Sequence, residues 1–332
     1  MAETNIFFLK LARENNNGLC NQLLSLVSAI LFCIRTKKYT LIVDKFLTEI
    51  NTNSYCSISQ VFNLFEINKY LHKYNIKIVD GFTINSRAFI PISWDVITLA
   101  KKHNNVRLLA FIDEIYSNLY FSRYLTSYAL NFTIENLNYN PVLYNQSDNI
   151  NIEEHEHEHE DEHEHEHEHE HEHIEGNVGE NETDNVNYAN KKINVIHLRI
   201  EDDAIDHWSK QNNMDQHVFK RLLIVKYIEL IKNNIQKEDI TLVLTGNTNN
   251  DVVHFMKENN YNVMFIDKKF ASNKPGRELN AIIDLIIGRY CNNVFIGCDG
   301  STFSELLLKY IPDESVHGVI QKITFDLNKI IA

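Results

Sequence analysis

The sequence predicts an α/β protein of two doubly wound, parallel-sheet domains that face a central cleft. Three observations carry this. Short apolar runs of strand length alternate with longer apolar-periodic runs of helix length in both halves of the chain, the order that buries parallel strands under helices. A polar, low-complexity segment separates the halves. The residues with chemical potential fall where predicted strands end, which is where open α/β sheets hold their ligands.

The 332 residues exceed the usual size of one domain, so two packed cores are expected. The divisions are residues 1–145, an N-terminal domain; 146–190, a disordered acidic linker or insertion; and 191–332, a C-terminal domain. Hydrophobic residues make up 44% and charged residues 23%, which excludes a disordered or membrane class for the bulk of the chain.

The formal charge of −13 is concentrated. Residues 151–186 hold 16 of the 45 acidic residues and none of the 32 basic ones, so the rest carries 29 acids against 32 bases, near +3. That balance offers no broad field for nucleic acid, and one local positive pocket would suffice for a diphosphate. Within the acidic segment, residues 153–173 alternate Glu with His and contain nine histidines. Imidazole and carboxylate suit Zn or Ni, but the repeat imposes no single coordination geometry and reads as a linker.

In the first half, a strand at 5–11, a helix at 21–35 and a strand at 39–43 form one unit, and apolar segments at 76–79 and 106–112 continue it. The second half gives strands at 193–198, 240–244, 262–266 and 293–296, with helices at 219–233, 251–259, 278–290 and from Ser304. The longest apolar run, 23–34, includes two serines and is too short to span a hydrocarbon core of about 30 Å. It predicts a buried helix. The N-terminus lacks the regions of a signal peptide, so a cytoplasmic protein without a membrane span is expected. The five cysteines show neither metal-ligand spacing nor a disulfide framework, and reduced thiols follow.

Three constellations carry chemistry. Asn17-Gly18-Leu19-Cys20-Asn21-Gln22 lies between the first strand and an apolar helix, where a glycine and free backbone N–H groups suit an anion or a sugar oxygen; an ordinary Asn/Gly turn with a helix cap is the alternative. One glycine does not make a dinucleotide fingerprint, which needs three at fixed spacing. His197-Leu198-Arg199-Ile200-Glu201-Asp202-Asp203 closes a strand, and its guanidinium, backed by acids, suits a diphosphate; a surface ion pair is the alternative. Phe295 to Ser304 leads from a strand through Gly297 and Gly300 to Ser301, Thr302 and Phe303, a phosphate-binding helix start or an ordinary Ser/Thr cap. Trp208 is placed to stack on a sugar or nucleotide, or to pack in an interface.

These three motifs, in this order, resemble the GDP-fucose protein O-fucosyltransferases and the wider fucosyltransferase superfamily of GT-B fold. There, a Gly-X-X-Asn-Gln segment follows the first strand, a His-X-Arg segment opens the second domain, and a Ser-Ser-Phe-type segment precedes a late helix. The match covers short motifs at both ends of the chain and little between 50 and 190.

The resemblance implies a GT-B fold and transfer of a sugar from GDP-fucose, or a related nucleotide sugar, to a hydroxyl of a glycan or protein by inverting displacement without a metal or other cofactor. It makes Arg199 and Asn21 the catalytic pair. Gly18, Gln22, His197, Asp203, Asp284, Ser301, Thr302 and Phe303 become donor-binding residues, with Asp284 reading the guanine edge. Glu14, Asp44 and Glu201 are the candidate bases, Glu14 first. The alternatives are a non-catalytic nucleotide-sugar or glycan-binding relative, and a metal-binding protein acting through its His-rich tract.

Overall fold

The computed structural model describes residues 5–11, 18–49, 53–84, 88–137, 191–266 and 276–330. Glu14 and the predicted linker at 146–190 lie outside the described residues.

The N-terminal half builds a three-stranded parallel sheet. Strand β1 (Ile6–Leu9) pairs in register with β2 (Thr40–Val43), which pairs with β5 (Lys77–Asp80). Helix α1 (Leu19–Thr36) crosses between the first two strands and is stopped by Lys37, whose left-handed backbone returns its N–H to the Cys33 carbonyl. By length and composition α1 could cross a membrane. It is instead a core helix, with Leu23, Leu26, Val27 and Ile30 at most 1% exposed. An antiparallel hairpin of β3 (Phe46–Glu49) and β4 (Ser54–Cys56) leaves the sheet. The segments at 76–79 and 106–112 become β5 and part of α5, whose buried Ile112, Ile115 and Tyr116 follow helical spacing. Helices α2 (Ile58–Val61), α3 (Leu64–Leu71), α4 (Asp95–Lys102), α5 (Val106–Ser117) and α6 (Arg123–Leu137) complete this half.

The C-terminal half holds a five-stranded sheet among the described residues, all parallel, in the order β12-β9-β6-β7-β8. In chain order its elements are β6 (Ile193–His197), α7 (Asp202–Gln211), α8 (Gln216–Asn234), β7 (Ile240–Leu244), α9 (Asp251–Glu258), β8 (Val263–Met264), α10 (Arg277–Gly288), β9 (Val294–Asp299), α11 (Thr302–Tyr310), a small hairpin of β10 (Glu314–Ser315) and β11 (Gly318–Val319), and β12 (Gln321–Asp326). The strand expected at 262–266 shrinks to two residues. Strands β6 and β7 are buried at every position, as strands covered on both faces must be.

Two sheets do not mean two separate cores. One cluster of buried side chains runs from Leu9, Leu26 and Phe132 into Leu244, Ile283, Leu307 and Ile320, because α10 packs against α6, α1 and β3 of the N-terminal half. A second cluster lies under α8, α9 and the far face of the large sheet.

Candidate functional site

Strand β6 delivers His197 and Arg199 to the carboxyl end of the large sheet. His197 is buried, and that burial pulls its imidazole down to about 4 against a smaller upward pull from Glu201; the ring is therefore neutral near pH 7. Its Nδ1 lies 2.7 Å from Ser304 Oγ, which also accepts the Cys298 N–H at 3.2 Å. Phe303 packs against the ring at 4.9 Å between centroids.

Arg199 sits in a clamp of carboxylates. Its Nη1 donates to Glu201 Oε2 at 2.8 Å, and its two terminal nitrogens fork onto Asp203 at 3.3 and 3.0 Å. Burial opposes the guanidinium charge, but the two acids outweigh it and hold Arg199 above its ordinary range. Reciprocally, both carboxyls lie below theirs: burial works against each charge, and Arg199 overrides it. Glu201 uses its other oxygen to accept the Gly246 N–H at 3.1 Å, which ties down the loop after β7.

The loop from β9 to α11 approaches from the other side. Gly300 takes φ +89°, and a Cβ there would meet the Trp208 ring at 2.8 Å, so glycine is required both for the left-handed turn and for the indole's close approach. Trp208 thus packs on the loop in the interface sense of its two expected roles.

The first turn of α1 closes the arrangement. Burial pushes the Cys20 thiol up to about 12, against a downward pull from the neighbouring Thr302, and Cys20 senses the charges of Glu278 and Arg199. Leu19 donates its N–H to Glu278 Oε2 at 2.5 Å, and Arg277 donates its own to Glu49 Oε2 at 2.9 Å. The helices that begin here, α1, α7, α10 and α11, start at Gly18, Glu201, Gly276 and Ser301 without a cap from that residue's own side chain, whereas α3, α5, α8 and α9 are capped by Asn63, Asn105, Asp215 and Asn250. Uncapped first turns leave N–H donors for carboxylates or ligands.

Beside the Arg199 clamp is a cavity of about 440 Å³, within the range of ligand pockets. Its wall carries Glu201, Asp202, Asp203 and Asp251 against Lys220 and Arg277, an excess of acid. Among the described residues, no three His, Cys, Asp or Glu side chains group to hold a metal ion.

Gly18, Asn21, His197, Arg199, Asp203, Ser301, Thr302 and Phe303 therefore lie on loops and first turns that converge. One residue expected with them faces elsewhere. The Gln22 side chain is fully buried and bridges the Leu47 backbone, donating to its carbonyl at 3.0 Å and accepting its N–H at 2.8 Å; it anchors the hairpin. Asp284 is buried in α10, two turns beyond Arg277 and so about 10 Å further along the axis; of the expected catalytic and donor-binding residues only Asp203 lines the cavity itself. Of the candidate bases, Glu201 has both oxygens engaged, while Asp44 accepts the Leu11 N–H at 2.8 Å and is raised by burial. Sequence reasoning missed Arg277, Glu278 and Tyr227. A glycine before a helix with an acid in its first turn was the available signal for the first two.

No protein-family model matches the chain, and no curated protein matches it. Solved structures do. The apo form of POFUT1 aligns with a TM-score of 0.51 at 10% identity, over 98% of this chain and 99% of that one. POFUT1 in complex with GDP-fucose gives 0.50 at 11%, over 96% and 98%. The fucosyltransferase NodZ from Bradyrhizobium gives 0.46 at 12%, over 92% and 94%. The chain has a GT-B-type fold, that of POFUT1 over nearly its whole length.

Proposed function

We propose that this chain is a glycosyltransferase that takes its sugar from a nucleoside-diphosphate donor, with GDP-fucose the first to test, and passes it to a hydroxyl of a glycan or protein. The observation that carries this is the convergence of Arg199, the uncapped start of α11 and the first turn of α1, where Cys20 neighbours Thr302. The likeness in fold to POFUT1, which was solved with GDP-fucose and with GDP, supports the choice of donor, as does the order of the motifs.

The chemistry follows from the clamp. Asp203 is 59% exposed and Glu201 24%, so Asp203 is the partner that a diphosphate displaces: the guanidinium fork exchanges one bidentate anion for another. The acceptor oxygen bonds to the anomeric carbon as the bond to the diphosphate oxygen breaks. The electron pair goes to the leaving group, held by Arg199 and the N–H groups of α11, and the acceptor proton goes to a base, for which Asp44 is the described candidate.

A thermal-shift panel of GDP, UDP, ADP and dTDP tests the donor. Binding to the folded chain at 100 times Kd adds about 2.7 kcal/mol, and GDP should give the largest shift. Equal or absent shifts with all four would sink the proposal. The acidic cavity wall departs from the positive pocket expected for a diphosphate; protection by GDP with neither hydrolysis nor transfer of GDP-fucose would select the second reading, a relative that binds nucleotide without turnover.

A further inference from the structure

We propose that Tyr227, on α8, is a positioning residue for Arg199, its hydroxyl fixing the turn from which the guanidinium reaches; this rests on the anion-binding role assigned to Arg199 above. The sheet shows why a hydroxyl is needed there. Leu198 donates its N–H to Leu244 on β7 at 3.0 Å. Backbone groups alternate sides along a strand, so the flanking His197 carbonyl and Arg199 N–H point the other way, toward β9. Pairing of β6 with β9 stops after Ile196↔Ile296, which leaves both groups without a rung.

Tyr227, fully buried, fills that gap. Its hydroxyl donates to the His197 carbonyl at 3.0 Å and accepts the Arg199 N–H at 3.1 Å. The Cys298 side chain, on β9, lies beside the same hydroxyl. The hydroxyl's one proton and one of its two lone pairs are thus committed to the two strand groups. Cys298 also donates its backbone N–H to Ser304, the partner of His197. Through His197, whose ring meets Ser304, the hydroxyl thereby links the Arg199 turn to the first turn of α11, the two elements proposed to hold one diphosphate.

The test is Tyr227→Phe, which keeps the ring and removes the hydroxyl, read by two measurements. The first is the NMR titration of the Asp203 carboxyl, which reports whether Arg199 sits in its clamp. It should rise toward the ordinary carboxylate range, part of the way that Arg199→Ala moves it. The second is GDP affinity, which should weaken about tenfold in the otherwise unsubstituted chain and less than twofold in the Arg199→Ala background, because Tyr227 acts through Arg199.

An unmoved Asp203 titration, or the same loss of affinity in both backgrounds, overturns the proposal. If the unsubstituted chain binds no GDP, the diphosphate reading fails alone, and the Asp203 titration still decides whether Tyr227 positions Arg199. If Tyr227→Phe does not fold, hydrogen exchange at the Arg199 amide of the unsubstituted chain decides: protection supports the proposal, and exchange at the rate of an open loop overturns it.

Discussion

Leu19 and Glu278, 259 residues apart, meet at 2.5 Å, the amide of one half of the chain donating to the carboxylate of the other. Arg277 and Glu49 make the reverse exchange. Each half thus supplies the acid that caps a helix of its partner, α1 in one case and α10 in the other. These contacts hold the starts of both helices against the opposite half.

Glu278 carries a cost with this role, since burial raises its carboxyl above the ordinary range despite the Leu19 N–H. A raised carboxyl favours folding while protonated, and that contribution is lost as pH rises through its folded value. Glu278→Ala should lose about 1–3 kcal/mol by stranding the Leu19 amide. Glu278→Gln keeps an acceptor without the charge, so it should match or exceed the parent at pH 8 and lose that advantage at pH 4. Urea unfolding at the two pH values checks both.

His197 works in the opposite sense. Its buried, neutral ring titrates near 4 instead of 6.5, so the stability it contributes is complete above pH 6.5 and falls as pH drops toward 4. The loss should be on the order of 3 kcal/mol across that window. His197→Asn, which keeps a hydrogen-bonding group near Ser304, should flatten that part of the stability profile. An unchanged slope would mean that the imidazole is solvated.

Gly276 is a point of close approach between the halves, for a Cβ there would lie 1.9 Å from the Thr48 carbonyl oxygen and 2.3 Å from its carbon. Both are backbone atoms and cannot rotate aside, so Gly276→Ala must separate β3 from α10 or fail to fold. Any folded product should show a lowered Tm together with weaker protection by GDP. Gly18→Ala, with its nearest neighbour at 4.0 Å, should change Tm far less.

Sequence showed most of the architecture, because parallel strands and covering helices impose different apolar periods. The clamp on Arg199 was legible as well: its acids stand two and four residues away, close enough for local geometry to bring them round. What stayed hidden required a partner distant in sequence. A glutamine within an apolar helix says nothing of the Leu47 backbone that consumes its amide. Nor does an acid in α10 announce that the packing of that helix against α1 and α6 buries it, as it does Asp284. The continuity of the core was invisible for the same reason, since α10 belongs by sequence to one half and packs against both.

Arg199→Ala is the most direct test that this guanidinium stabilises a departing diphosphate. Turnover of GDP-fucose, as donor hydrolysis or as transfer to an acceptor, should fall by about 10² to 10³ in kcat while the far-UV spectrum is unchanged, and Arg199→Lys should restore little of it because an ammonium cannot reproduce the fork. An Arg199→Ala chain that retains most of the parent's turnover would contradict the assignment.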